Sequence, residues 1–173
     1  MNCQAFGPAS ARCRAVIWER GRARIEALLA AGELEPAAPN EQHAQRLLDE
    51  AAAHLEAVAR VSDVDAAGAL QLSYDAARKA AFALLAAQGL RPTTKGGHIA
   101  VQDAVVAQFG GREGMTAFTH LGRMRRQRHA AEYPTASTPK VTRRDADQAA
   151  TDARAVVEAA RLLIASGKLD RFG

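Results

Sequence analysis

Apolar residues recur at three- and four-residue steps from residue 40 almost to the C-terminus, the period of helices that bury one face. Leu47, Leu48, Ala51, Leu55, Val58 and Ala59 mark the first such stripe, on a helix that Asn40 can cap. Leu70, Tyr74, Ala77, Ala81, Leu84 and Leu85 mark a second, from near Asp65 to a stop at Gly89 and Pro92. The short Ser62-Asp63 link makes these two helices antiparallel neighbours. "HIAVQDAVVAQFG" predicts a shorter, more apolar helix stopped by Gly110 and Gly111. A fourth runs from about Glu113 to Glu132 and ends before Pro134, which also biases Tyr133 away from helical dihedrals. The last spans about Asp145 to Ser166, with Ala149, Ala153, Val156, Val157, Ala160, Leu163 and Ile164 on one side.

Upstream, "SARCRAVIWERGRARIEALLAAGELE" reads as a basic helix interrupted by Gly21 and closed near Gly32, and "PAAPN" then breaks the chain. No segment reads as a strand. The prediction is an all-α fold, an up-and-down bundle of four to five helices over 40–167, preceded by a basic helical extension over 1–36. Composition agrees, since hydrophobic residues reach 48% but aromatics only 5%, with alanine supplying much of the apolar content.

The formal charge of +4 permits an anionic partner without requiring one. Cys3 and Cys13 have no histidines at zinc-ligand spacing, so no metal or other cofactor is expected, and they read as free thiols. "RPTTKGG" lacks the spacing of a phosphate-binding P-loop, which excludes a nucleoside triphosphatase of that class. No apolar run approaches the roughly 18 residues of a membrane span. The start has no basic-then-apolar signal pattern, so the expected location is cytoplasmic, away from membranes.

Charge concentrates in "LGRMRRQRHAAEYPTAS", residues 121–137. On a helix, Arg125, Arg128 and His129 share one face, while Arg123 and Arg126 fall beside it. Guanidinium forks match phosphate oxygens, so this face could clamp a phosphodiester. Arginines near a helix C-terminus also interact favourably with the dipole while staying solvated, and spacing alone does not separate the two readings.

"RHAAEY", Arg128 to Tyr133, resembles the signature of the HEPN superfamily, in which an arginine and a polar residue precede a histidine after a short spacer. "SYDAARKAAFALLAAQGLRPTTKGGHIAVQDAV" resembles the two-helix core of actinobacterial-type members, and the likeness covers about residues 40–167. It implies a helical bundle that forms a homodimer with two motifs in a shared cleft. It further implies a link to RNA, either as a metal-independent endoribonuclease of toxin–antitoxin or phage-defence type or as a non-catalytic module binding RNA, a nucleotide or a partner protein. An antitoxin or a nucleotidyltransferase is the implied kind of partner.

By this resemblance the catalytic candidates are Arg128, His129 and Tyr133, with Arg123, Arg125 and Arg126 as RNA- or phosphate-binding candidates. Tyr133 stands where the motif histidine is expected. A phenol of ordinary pKa near ~10 is a poor base at neutral pH, whereas an imidazole near ~6.5 suits proton transfer. A second frame pairs Arg123 with His129 across five residues, at the expense of the polar residue after the arginine. Tyr133 also has a packing role open to it, and Glu132 a simple ion pair with Arg128.

Among the remaining histidines, His98 follows Gly96-Gly97 at a helix start, within reach of the site, although its structural role is the weightier reading. His43 and His54 share a helix face but stand too far apart for one metal, and His120 is isolated. Trp18 reads as a packing anchor. A DNA-binding regulator using Arg12 to Arg24 is the third functional class, without a clear helix-turn-helix to support it.

Overall fold

Three side-chain caps set where the long helices begin in a computed structural model of the chain, which describes residues 20–111, 115–169 and 171–172. Asn40 Oδ1 accepts the His43 N–H at 2.8 Å, and Asp65 Oδ1 accepts the Gly68 N–H at 2.8 Å. Thr142 and Asp145 form a reciprocal capping box. In chain order the elements are α1 (Arg22–Ala30), β1 (Leu34–Pro36), α2 (Glu41–Val61), α3 (Ala66–Gln88), β2 (Leu90–Pro92) and α4 (Gly97–Phe109). A 3₁₀ turn, Thr116–His120, then leads into α5 (Leu121–Glu132), and α6 (Arg143–Ala165) closes the bundle.

Helix α3 is the hub, packed against α2, α6, α5 and α4. Its alanines make this geometry accessible. Ala69, Ala76, Ala77, Ala80, Ala81, Ala83 and Ala87 are all buried, so helices approach from several sides without long side chains holding them apart. Leu84 and Leu85 are fully enclosed, and burial of such a side chain contributes roughly 1.5–3 kcal/mol. Phe109 and Phe118 fill the far end, with ring centroids 5.7 Å apart. Gln88 and Gln108 satisfy each other's buried amides in both directions, at 2.8 and 3.1 Å.

Two sequence expectations need correction. A strand pair does exist: β1 and β2 are antiparallel, with Leu34 opposite Pro92, Glu35 opposite Arg91 and Pro36 opposite Leu90. Each strand is three residues long and ends in proline, so neither shows the alternation or length by which strands are recognised. The fourth helix does not run continuously from Glu113, which itself lies outside the described residues; a 3₁₀ turn precedes α5.

The ribbon ties the N-terminal segment to the bundle. Ile25 and Leu28 of α1 are buried in the same core as α3 and α4. Arg24 pairs with Asp103 of α4, and Thr93 and Lys95 donate to the backbone of the α1–β1 turn. Cys3, Cys13 and Trp18 lie outside the described residues. No described helix is long and apolar enough to cross a membrane.

Candidate functional site

Helix α5 is the most polar of the long elements, and only Leu121 and Met124 anchor it in the core. That anchoring fixes its rotation. Arg125, Arg128 and His129 then face the first turn of α4 and the middle of α3. Together with Tyr74, Gly96, Gly97, His98 and Ile99 they line an open cleft of about 380 Å³. The shared face read from their spacing is the face that meets this cleft.

The other candidates are placed differently. Arg123 turns to α6, where it donates to Asp152, a residue only 3% exposed. Gln148 Nε2 donates to the same carboxylate at 3.1 Å, and His120 Nδ1 lies 3.1 Å from it. His120 is therefore not isolated. Arg123 and His129 are consequently not brought together, which removes the geometric basis of the frame that pairs them. Arg126 is exposed and does not line the cleft. Tyr133 follows the last residue of α5, with its N–H donating to His129 O at 3.0 Å. Its ring lies 5.1 Å from that of His129, yet the side chain is 61% exposed and outside the cleft lining.

Two features charge the cleft. The Nε of Arg125 is enclosed with no acceptor among the described residues, a cationic donor that an anion would satisfy. Arg128 is paired with Glu132 one turn away, as the spacing allows, with both side chains about one-third exposed. Arg78 and Asp75 of α3 pair at 3.0 Å close by. Burial is the main influence on the two titratable rings from α3 and α4. It pushes the Tyr74 phenol up, against the pull of Arg78, Arg125 and Arg128. It pushes the His98 imidazole down, and Arg78 and Arg128 act in the same direction while Asp75 opposes them.

Tyr74 and His98 are the titratable cleft residues that the sequence did not assign to the site. Tyr74 looked like one more core position on a helix stripe. The one available signal was His98 directly after two glycines at a helix start, a place where side chains and ligands can approach backbone closely.

Of the basic stretch from Arg12 to Arg24, the described residues 20–24 offer no comparable face. Residues 12–19 lie outside the described residues. Arg20 donates to Gly110 O at 3.1 Å, Arg22 pairs with Glu26 at 3.1 Å, and Arg24 pairs with Asp103. Among the described residues, no group of three or more His, Cys, Asp or Glu is placed to hold a metal ion.

A family model described as HEPN domain matches residues 39–163. No curated protein and no solved structure matches the chain.

Proposed function

The chain belongs to the HEPN domain family, and from that premise we propose that its cleft binds the RNA backbone and cleaves it without a metal ion. The observation that carries the reading is the convergence of Arg125, Arg128 and His129 on one open cleft. Two guanidiniums supply forked donors for phosphate oxygens, and the unpartnered Arg125 Nε gives one of them a standing preference for an anion. Metal-free cleavage needs charge stabilisation at phosphorus and proton transfer at the ribose and leaving oxygens. Arg128 and His129 are assigned those tasks in that order. The exposed Tyr133 is assigned neither, since its ring lies outside the cleft.

A second reading, a non-catalytic RNA-binding module, draws on the same placement of Tyr133. Incubating purified protein with labelled single-stranded RNA in EDTA separates the two. Cleavage by the wild type supports the nuclease, while binding without cleavage supports the module. Either way the affinity should fall with salt, with a log–log slope of about −0.7 for each phosphate neutralised on a single strand. Binding indifferent to salt would count against both.

The Arg128–Glu132 pair gives a further prediction. RNA must compete with Glu132 for the guanidinium, so Glu132→Gln is expected to tighten RNA binding by about two- to fivefold, in line with the modest worth of part-exposed pairs. Fluorescence anisotropy of a labelled oligonucleotide measures it, and unchanged affinity would place the phosphate elsewhere.

A homodimer fits the same face. Ile99 and Tyr133 are 51% and 61% exposed, large apolar side chains beside the cleft, and a two-fold partner covering them would bring two clefts together. A setting with an antitoxin or a nucleotidyltransferase partner belongs to the same proposal.

A further inference from the structure

We propose that His98 is the second imidazole of the site, the general base that takes the proton from the ribose 2′-hydroxyl. This rests on the RNA-cleaving reading above and completes it within one chain, because the cleft that holds His129 also holds His98, and the protons of the nucleophile and the leaving group are best handled by two different groups.

The placement comes from the fold. Helix α4 starts at Gly97, so His98 occupies its first turn, exposed, at the lip of the cleft that Arg125, Arg128 and His129 enter from α5. Its ring is steadied from α3, with Tyr74 at 6.4 Å and Phe82 edge-on at 6.1 Å between centroids. An imidazole that stays accessible while two aromatic rings partly shield it is oriented and only partly desolvated. The scissile phosphate, bound by Arg125 and Arg128, would then have His98 on the α4 side and His129 on the α5 side.

In the reaction, His98 accepts the 2′-hydroxyl proton as the O2′–P bond forms, and His129, protonated, gives its proton to the 5′-oxygen as the P–O5′ bond breaks. The products are a 2′,3′-cyclic phosphate and a 5′-hydroxyl. No electrons are transferred. One proton has moved from His129 to the product and one from the substrate to His98, and exchange with water restores the starting state. A base must be neutral before it acts. The charged and titratable groups facing His98 are Tyr74, Asp75 and Arg78 on α3 and Arg125, Arg128 and His129 on α5. Burial, Arg78 and Arg128 hold the imidazole below its ordinary pKa despite Asp75, and so favour the neutral form at neutral pH.

The test uses the full chain, a labelled RNA oligonucleotide in EDTA and single-turnover conditions, with a 2′-O-methyl analogue to report binding alone. His98→Ala is expected to slow cleavage about 100-fold or more, the usual worth of a positioned acid or base, while changing analogue affinity less than about threefold. The acidic limb of the wild-type pH–rate profile should vanish in the variant, and added imidazole should restore part of the rate. His98→Gln, which keeps a planar group against Tyr74 and Phe82, should melt like the wild type and remain as slow as His98→Ala. Cleavage by His98→Ala at the wild-type rate, or with the acidic limb intact, would overturn the assignment and leave the nuclease reading standing. A rate loss matched by an equal loss of analogue affinity would also overturn it, since His98 would then be a binding residue. A wild-type protein that binds RNA and never cleaves it would overturn the nuclease reading and this assignment together.

Discussion

Arg128→Ala is expected to lower RNA cleavage by about 10²–10³, the range for removing a donor that stabilises transition-state charge, and to leave the melting temperature almost unmoved. Arg123→Ala, five residues earlier in the same arginine-rich run, should do the reverse. Among the described residues Arg128 pairs with Glu132 alone, on its own helix, at a part-exposed position, and such pairs contribute about 1 kcal/mol or less. Arg123 is the cation for Asp152, whose side chain is 4% exposed inside α6. Removing it leaves a buried carboxylate with only the Gln148 amide and the His120 ring beside it, and the cost falls at about 2–3 kcal/mol, below the usual range for fully buried pairs because those neighbours remain and the arginine itself is 45% exposed. At ~2–4 °C per kcal/mol for a chain of this size, the melting temperature should drop by about 5–10 °C. Cleavage at a temperature where the variant is still folded should match the wild type. Asp152→Ala alone should cost less, since Arg123 can then turn to water. Thermal unfolding and single-turnover cleavage of both arginine variants decide the matter, and equal effects on both readouts would show that the run acts as one undivided patch of charge.

That split between neighbouring arginines marks where the sequence stops being readable. Helical spacing is a local property, so the common face of Arg125, Arg128 and His129 follows from their numbers alone. What Arg123 meets is not local. Its partner stands 29 residues further on, in a helix whose pattern identified the apolar residues around Asp152 but gave no sign that this carboxylate itself is enclosed. The remainder of the cleft has the same origin. Tyr74 and His98 come from α3 and α4, and only the packing of three helices brings them to α5. The apolar stripe of α2 was legible because one face is wet and the other dry. Helix α3, buried nearly all round by alanines, was found from the same period, which understated how many neighbours it touches. The β1–β2 ribbon was not legible, because three-residue strands ending in proline carry almost no periodic signal.

That ribbon also governs the second large effect, at Gly96. Its backbone is ordinary, φ −80° and ψ −39°, so conformational freedom is not why glycine is needed there. Close approach is. A Cβ at this position would lie 2.1 Å from Glu33 O and 2.7 Å from Glu33 C, in the turn that joins α1 to β1. That turn cannot yield cheaply. Glu33 O accepts the Thr93 N–H at 3.0 Å, Thr93 Oγ1 donates to Gly32 O at 2.7 Å, and Lys95 Nζ donates to Ala31 O at 2.7 Å. Gly96→Ala must break this set or push α4 away from it, and the expected loss is about 3 kcal/mol, the upper end for overpacking because backbone is the obstacle. Since Gly96 also lines the cleft and carries His98 two residues on, RNA affinity should fall in the protein that remains folded. The neighbouring Gly97 supplies the contrast. It has φ +50° with open space around its Cβ position, so Gly97→Ala meets only the left-handed backbone penalty of about 1–2 kcal/mol. Thermal unfolding of the two variants should therefore rank Gly96→Ala as the more damaging. Equal losses would mean that backbone conformation, rather than contact with the α1–β1 turn, sets where α4 begins.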